Sequence, residues 1–390
     1  MGKLKSIGYE LRDVAVVQAP VSFVNHRGEV DPFVEICNRR VYPIFVAPMA
    51  SVTDENNYKV WIENGVTPVV PRSVQLRLSF EDRMVIARET FVSISLNEAK
   101  ENLFGYLEHY EDQVADPKFN PLFICIDIAH GTLSDLYNIC KEIKRRFPYV
   151  IIMAGNVANP SAYSFYADAG IDYMRASVGS GSRCTSSANV SVHYPLASLL
   201  DALNEERKAY AHSHNGYAPT KIIADGGIGW FDDIQKSLAL GADAVMCGKI
   251  FAECEEACEP IYYAKSIEKA LSGVRYTEKM LDQLEEGDEG EILELEGHHN
   301  CHTLNLSRFR DYYGMSTKRA QKETGGTGNR TSEGIDRPVE VKYPVAKWID
   351  NMQSYLRSCM TYTNSRTIQE LRENAQVIIL GGSGDVAYRK

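Results

Sequence analysis

Eight short apolar runs recur along the first two thirds of the chain, and a longer polar or amphipathic stretch follows nearly every one of them. The runs occupy residues 42–47, 66–70, 90–95, 122–127, 149–154, 172–177, 221–225 and 242–247. Helical patterns occupy residues 54–64, 79–88, 97–109, 132–146, 160–169, 195–212 and 231–240. Because repeated strand–helix alternation is typical of a closed parallel barrel, we predict an α/β fold, a (β/α)8 TIM barrel. A doubly wound open sheet is the alternative, but no glycine-rich dinucleotide turn follows an early strand.

The residues that follow the predicted strands are rich in glycine, asparagine, aspartate and cationic side chains. They are Pro48-Met49, Pro71-Arg72-Ser73, Leu96-Asn97, Ile128 to Gly131, Gly155-Asn156, the loop that contains Cys184, Gly226-Gly227 and Gly248-Lys249. In a barrel of this kind the ligand-binding groups collect at the carboxyl ends of the strands. We therefore expect these residues to converge on one site.

The loop after the sixth predicted strand carries the strongest chemical signal. Residues 177–187 contain Gly179 and Gly181, followed by Cys184 and a run of hydroxyl side chains. Because glycine has no Cβ, these positions allow backbone N–H groups to face an anion. Cys184 is therefore a candidate nucleophile beside a candidate phosphate cradle, and a surface turn with a free thiol is the alternative.

Two further strand ends add polar groups. Asp225 could accept hydrogen bonds from the two vicinal hydroxyls of a ribose, while Gly226 and Gly227 bring the backbone close to a ligand; a helix cap is the alternative. Asp127 also ends an apolar run, where a cap is again the alternative. Lys249 could pair with a phosphate or lie in solvent as an ordinary surface lysine.

The alternation stops after residue 250. Residues 258–311 are predicted to be an insertion, with a helical pair over 258–290. Residues 297–302 place four possible metal ligands within a shorter span than known zinc motifs use, so a polar hairpin tip is favoured over a metal site. A glycine-rich polar stretch predicts an active-site flap over residues 317–343. One or two closing helices and a flexible tail over 379–390 complete the predicted chain.

Composition narrows the class of protein. The net charge of -10 argues against a nucleic-acid or acidic-membrane binder, which would need a basic face. No apolar run approaches the ~20 residues of a membrane span, and no apolar segment follows the first lysines as a secretory signal would require. Nine irregularly spaced cysteines are typical of reduced thiols. We expect one cytoplasmic catalytic barrel over residues 1–390.

Taken together and in order, several motifs resemble the IMP dehydrogenase / GMP reductase family. They are Gly179-Ser-Gly-Ser-Arg-Cys184-Thr185, Asp225-Gly-Gly227, Gly155-Asn-Val157, Val245-Met-Cys-Gly248 and Tyr313-Gly-Met-Ser316, with Asp13-Val14 and His26 to Asp31 upstream. The resemblance covers residues 11–257 and 312–378. The dehydrogenases usually carry two CBS modules, for which this chain has no room, and an Arg-Tyr pair, which here is Arg330-Thr331. Residues 332–334 and 356–362 look like the reductase branch.

The resemblance implies NADPH-dependent reductive deamination of GMP, or of a related purine nucleotide, to IMP and ammonia. Cys184 would attack purine carbon 2, expel ammonia and form a covalent thioimidate, which hydride from NADPH would reduce. Ser186 and Glu333, with Thr185 adjacent, would protonate the leaving amine. An IMP dehydrogenase-like oxidoreductase and a catalytically altered nucleotide-binding regulatory protein are the alternatives.

The same resemblance implies the ligand contacts and a homotetramer. The substrate positions are Ser182, Asp225, Gly226, Gly227, Gly248, Lys249, Gly314, Met315, Ser316, Arg330, Ser332 and Gly334. The cofactor positions are Arg27, Arg72, Asp127, His130, Gly131, Val178, Gly179 and Ser358, the last from a neighbouring subunit. Backbone carbonyls of Gly179, Gly181 and Cys184 would hold a monovalent cation such as K+. Arg72 would be the partner of the 2′-phosphate.

The cysteine loop departs from the family pattern. Ser177 and Ser180 replace a glycine and a proline, Ser187 replaces an arginine, and Arg183 adds a charge immediately before the cysteine. Lys249 stands where the phosphate turn has its second glycine. These changes leave room for a shifted substrate, such as a deoxynucleotide or a modified purine.

Overall fold

The computed structural model describes residues 7–114, 116–180, 186–273, 275–277, 280, 306–314, 317–324 and 334–381, with the backbone alone at 186 and 187. Its strands are β1 Val14–Val17, β2 Val34–Ile36, β3 Arg39–Val41, β4 Ile44–Val46, β5 Thr67–Val70, β6 Phe91–Ile94, β7 Leu122–Asp127, β8 Val150–Val157, β9 Tyr173–Ala176, β10 Lys221–Asp225, β11 Ala244–Cys247, β12 Tyr262–Ala264, β13 Ser307–Tyr312, β14 Arg337–Glu340 and β15 Gln376–Ile379. Strands β4 to β11 form a closed parallel barrel in the order β10-β11-β4-β5-β6-β7-β8-β9. The predicted (β/α)8 barrel is confirmed.

The described helices follow the predicted alternation. They are α1 Tyr58–Glu63, α2 Phe80–Ile86, α3 Leu96–Glu98, α4 Phe104–Gln113, α5 Ser134–Arg146, α6 Ala162–Asp168, α7 Ser186–Val190, α8 Leu196–Ser213, α9 Phe231–Ala239, α10 Lys249–Ala252, α11 Ile267–Leu271, α12 Lys318–Glu323, α13 Val345–Tyr362 and α14 Ile368–Asn374. A π-helical turn, Ala99–Leu103, joins α3 to α4. None of these helices is long and apolar enough to cross a membrane.

Aromatic side chains fill the amino-terminal half of the barrel. Phe45, Phe91, Phe123 and Tyr173 come from four different strands, and Phe91 lies 5.5 Å, between ring centroids, from both Phe123 and Tyr173. Alternate residues of a strand face opposite sides, so the intervening apolar residues pack outward against the helices. The barrel interior is therefore a packed core and not a channel.

A hairpin of β2 and β3 closes the amino-terminal end of the barrel. Its residues Ile36, Cys37 and Val41 pack into the same cluster as the inner aromatic side chains. Cys37 and Asn38 both have positive φ, 51° and 56°, as a two-residue hairpin turn of the primed type requires. With one end plugged, the other end is the side open to a ligand.

The remaining strands outside the barrel form two further small sheets. β1 pairs with β15. The Nζ of buried Lys236 donates to the carbonyl oxygen of Leu11 at 3.0 Å, and this bond attaches the N-terminal arm, residues 7–17, to α9. β12, β13 and β14 form an antiparallel sheet. A helical pair was predicted over residues 258–290, but the range begins with a strand, β12, which precedes helix α11; residues 281–290 lie outside the described ranges. Tyr262 and Ala264 are buried on one face of β12, and the pairing of this strand with β13 stabilises it.

We expect Phe91→Ala to lower the free energy of unfolding by about 3–5 kcal/mol, because it removes a fully buried ring at the centre of the aromatic layer. Urea denaturation followed by tryptophan fluorescence measures the change. Phe119→Ala is the matched control, since Phe119 is 81% exposed. Equal effects of the two substitutions would contradict the assignment of the core.

Candidate active site

The inward-facing side chains change from apolar to charged along single strands. In β7 the inward sequence is Phe123, Cys125 and Asp127, and in β9 Tyr173 is followed two residues later by Arg175. Because the strands are parallel, their last inward residues meet at the open end of the barrel. Asp127, Arg175 and Asp225 therefore form a charged layer directly above the apolar core.

Arg175 connects the two predicted aspartates. Its Nη1 donates to Oδ1 of Asp127 at 2.6 Å, and its Nε donates to Oδ2 of Asp225 at 2.8 Å. Asn156 also donates to Oδ2 of Asp225, at 2.6 Å, and Nε of Arg72 lies 3.6 Å from Oδ2 of Asp127. These contacts join side chains from five strand ends, those of β5, β7, β8, β9 and β10, into one network.

The guanidinium of Arg175 is 6% exposed and remains a cation. Burial alone would lower the pKa of Arg175, but the adjacent carboxylates of Asp225 and Asp127 hold this pKa well above its usual range. Arg175 and Asn156 both contact Oδ2 of Asp225, and Oδ1 accepts no hydrogen bond from the residues that the structure describes. That oxygen is positioned to accept from a ligand.

Small residues make this packing possible. A Cβ on Gly155 would lie 2.6 Å from the Cβ of Arg175, and a Cβ on Gly131 would lie 2.5 Å from the carbonyl oxygen of Asn156. The peptide between Gly155 and Asn156 is cis. The glycine at the end of β8 thus leaves the space that Arg175 occupies.

The loops after β9 and β10 meet beside the charged layer. Gly227 has a φ of +75°, and a Cβ at this position would lie 3.4 Å from the carbonyl oxygen of Ser180. Val178 and Gly179 precede that contact directly. The structure therefore brings the start of the predicted nucleophile loop next to the predicted phosphate-binding glycines.

The ends of β4, β11 and β13 form the other side of the site. A Cβ on Gly248 would lie 2.5 Å from the hydroxyl oxygen of Tyr312 and 2.7 Å from Sδ of Met49, so no larger residue fits there. Gly314 also approaches Met49. Lys249, by contrast, directs Nζ toward Glu253, 3.6 Å away, and Glu253 also contacts Lys342 at 3.1 Å.

Two predicted cofactor positions lie at the opposite end of the same barrel. Helix α13 begins beside Glu256, whose carboxylate accepts a hydrogen bond from the Val345 N–H. Two turns later, Gln353 of this helix accepts a hydrogen bond from the hydroxyl of Tyr42, which lies just before β4. Ser358 lies further along this helix. Arg27 contacts the same part of helix α13, because its Nη1 donates to the hydroxyl of Ser354 at 3.2 Å. Within a single chain, Arg27 and Ser358 therefore lie apart from the other predicted site residues.

Several predicted site residues lie outside the described ranges, or have side chains outside them. They are Gly181, Ser182, Cys184, Thr185, the side chain of Ser186, Met315, Ser316, Arg330, Ser332 and Glu333. Gly334 is described, and so is His130, whose Nδ1 lies 3.1 Å from the hydroxyl of Thr132. The possible metal cluster at 297–302 also lies outside, and the described residues bring no three metal-ligating side chains together.

Sequence reasoning missed Arg175 as a site residue. The apolar run that contains Arg175 predicts a strand. The sequence signal for a site residue is that this cation comes two residues after Tyr173 and so shares its inward face. A buried strand cation needs a carboxylate partner, and two candidates were already present at the ends of other strands. The pairing depends on the register between β7, β9 and β10, which the sequence alone did not supply.

The sequence is similar to those of known proteins, some of which it matches over nearly their whole length. A family model described as IMP dehydrogenase / GMP reductase domain matches residues 118–386. A GMP reductase of Staphylococcus saprophyticus is 28% identical over 91% of this chain and 91% of its own. A GMP reductase of Shouchella clausii is 26% identical over 97% and 98%, respectively. An inosine-5'-monophosphate dehydrogenase of Chlorobaculum parvum is 28% identical over 67% of this chain and 46% of its own.

A (β/α)8 barrel with charged side chains gathered at the carboxyl ends of its strands is the architecture of barrel enzymes. The family model matches more than half of the chain, so the chain belongs to the IMP dehydrogenase / GMP reductase family. This is a family of purine-nucleotide oxidoreductases. The resemblance drawn from the motifs is confirmed.

We expect Arg175→Met to destabilise the fold by about 3–5 kcal/mol, because it leaves two closely spaced carboxylates without their buried cation. Thermal unfolding measures the loss, and Asp225→Asn should recover part of it in the double variant. Arg145→Met is the control, since Arg145 pairs with Glu142 on an exposed helix face. Strict additivity of the two site substitutions would show that Arg175 and Asp225 are not coupled.

Proposed function

We propose that this protein catalyses the NADPH-dependent reductive deamination of GMP, or of a closely related purine nucleotide, to IMP and ammonia. The observation that carries the proposal is the meeting of the Val178–Ser180 segment with Gly227 beside Asp225. This arrangement brings a ribose acceptor, a phosphate turn and the start of the cysteine loop to one place. The GMP reductases named above align with nearly the whole chain, which supports the same activity.

The described residues suit a nucleoside monophosphate. Oδ1 of Asp225 accepts from the ribose hydroxyls, while Arg175 and Asn156 hold the other carboxylate oxygen. Backbone N–H groups at Gly226, Gly227 and Gly248 approach the phosphate, because these positions carry no Cβ. Ser182 and Lys249 add to the phosphate site, and the purine base lies against Gly314, Met315 and Ser316.

The reaction is assigned to the cysteine loop and the flap. The Cys184 thiolate adds to purine carbon 2, and the exocyclic amine leaves as ammonia after protonation through Ser186 and Glu333, with Thr185 adjacent. Bound NADPH would supply the hydride for the same carbon, and breaking the carbon–sulfur bond would release IMP and regenerate the Cys184 thiolate. Arg330, Ser332 and Gly334 belong to the flap, residues 317–343, that covers the base. The 258–311 insertion and the 379–390 tail have no assigned part in this chemistry.

The residues that would hold the nicotinamide cofactor follow the ends of β7 and β9. Asp127, His130 and Gly131 follow β7, and Val178 and Gly179 follow β9, so both strand ends face the same space. Arg72, beside Asp127, offers a cation for the 2′-phosphate. Arg27 and Ser358 contribute from a neighbouring copy in a cytoplasmic homotetramer. Backbone carbonyls of Gly179, Gly181 and Cys184 would hold a monovalent cation such as K+.

The reductase assignment predicts consumption of NADPH with GMP and no production of NADH from IMP and NAD+. Absorbance at the nicotinamide band follows both reactions, and 2′-deoxy-GMP and 2-substituted purine nucleotides test the substrate range. Turnover of IMP with NAD+ alone would reverse the direction and identify a dehydrogenase. Failure of every purine nucleotide to bind would contradict the family-based assignment of substrate.

We expect Cys184→Ala to reduce kcat by at least about 1,000-fold with GMP binding largely retained, because covalent attack is lost while the nucleotide contacts remain. Stopped-flow oxidation of NADPH and calorimetric binding of GMP separate the two effects. Cys140→Ala is the control, since Cys140 lies in α5 and has no assigned part in the site. Wild-type turnover by Cys184→Ala would eliminate the thioimidate route.

A further inference from the structure

The segment that leads into the cysteine loop is held by a histidine that no step above uses. Nδ1 of His193 lies 3.0 Å from the carbonyl oxygen of Val178, and Nε2 lies 2.8 Å from Oε1 of Glu10. Val178 and Gly179 form the backbone stretch assigned above to the nicotinamide cofactor. His193 thus links that stretch to the N-terminal arm.

Both ring nitrogens of His193 face acceptors. A carbonyl oxygen and a carboxylate oxygen can only accept, so a neutral imidazole, which has one N–H, satisfies one of them and meets the other with a lone pair. The imidazolium form has two N–H groups and satisfies both. The geometry therefore selects the charged form of this side chain.

The carboxylate of Glu10 is itself fixed. Its Oε2 accepts from the backbone N–H of Leu196 at 3.0 Å, while its own N–H donates to Asp13 at 2.8 Å. Asp13 is the next charged group behind Glu10 and lies 3.8 Å from Arg12. On the side of Val178 and Gly179, the imidazole contacts an uncharged group, the carbonyl oxygen of Val178. Among the described residues, Glu10 is therefore the charged group that contacts the imidazole directly.

We propose that His193 is a positioning residue that, in its doubly protonated form, orients the Val178–Gly179 peptide for binding of the nicotinamide cofactor. This proposal rests on the proposed function for the identity of the ligand, but not for the contact itself. Histidine ordinarily changes charge between about pH 5 and pH 8. The ring satisfies both acceptors only while both of its nitrogens carry a proton, so a lower pH favours the contact with Val178 and a higher pH weakens it.

NADPH binding to the full-length chain, measured by fluorescence titration at pH 6.5 and pH 8.5, tests the proposal. His193→Ala should bind NADPH about five- to tenfold more weakly than wild type at pH 6.5 and nearly equally at pH 8.5. The ratio of the two proteins at each pH removes the titration of the cofactor itself. A ratio that is the same at both pH values, or a ratio of one at pH 6.5, would overturn the proposal.

Glu10→Gln gives a sharper comparison. The glutamine amide can donate to Nε2 while its oxygen keeps the Leu196 contact, so a neutral ring can hold Val178 through Nδ1–H. This variant should therefore bind NADPH with wild-type affinity at pH 6.5 and keep that affinity at pH 8.5. Loss of affinity at both pH values would contradict the proposed role of the ring. His109→Ala is the control, since His109 contacts Gln113 within helix α4.

Nitrogen NMR of the histidine rings separates this proposal from the proposed function. Two protonated ring nitrogens at His193 at pH 6.5, assigned by their absence from His193→Ala, support the geometry even if NADPH does not bind. A single N–H at that pH overturns it. Absence of NADPH binding by wild type, with two ring N–H groups present, would contradict only the cofactor assignment.

Discussion

The site depends on one buried guanidinium. Arg175 lies at the boundary between the apolar interior of the barrel and its open end, and it connects Asp127 to Asp225. Each carboxylate would be costly to bury beside the other without that cation. In the proposed function Asp127 serves the cofactor and Asp225 serves the ribose, so the ion pairs that stabilise this layer would also fix the relative position of the two ligands.

The parts of the fold that the sequence predicted are those determined by local periodicity. Each barrel strand is a short apolar run because it is buried on both faces, and the helices between them alternate polar and apolar residues. β12 was not predicted, because its strand character depends on pairing with β13, more than forty residues later. The plugging hairpin of β2 and β3 likewise depends on the contacts that Ile36 and Val41 make inside the barrel.

The site was predictable to the extent that strand ends meet in any parallel barrel. This rule predicted that Asp127 and Asp225 lie close together, and in the structure Arg175 contacts both of them. It could not assign partners, which depend on register and side-chain direction. Lys249 shows the difference: it follows a strand end, as a phosphate-binding group would, but in the structure it contacts Glu253, which also binds Lys342. The two cations share one carboxylate, so a phosphate near Lys249 would compete with Glu253.

The positions of Arg27 and Ser358 restrict how a complete cofactor site can form. Helix α13 runs antiparallel to the strands, and Ser358 lies thirteen residues after Val345, which is about 20 Å along the helix axis. Within one chain, the amino-terminal plug and the aromatic core separate this point from Asp127. A cofactor in extended form could contact both groups only if they came from different copies. If Arg27 and Ser358 contribute to the site, a monomer is incomplete, and cofactor affinity should then depend on assembly.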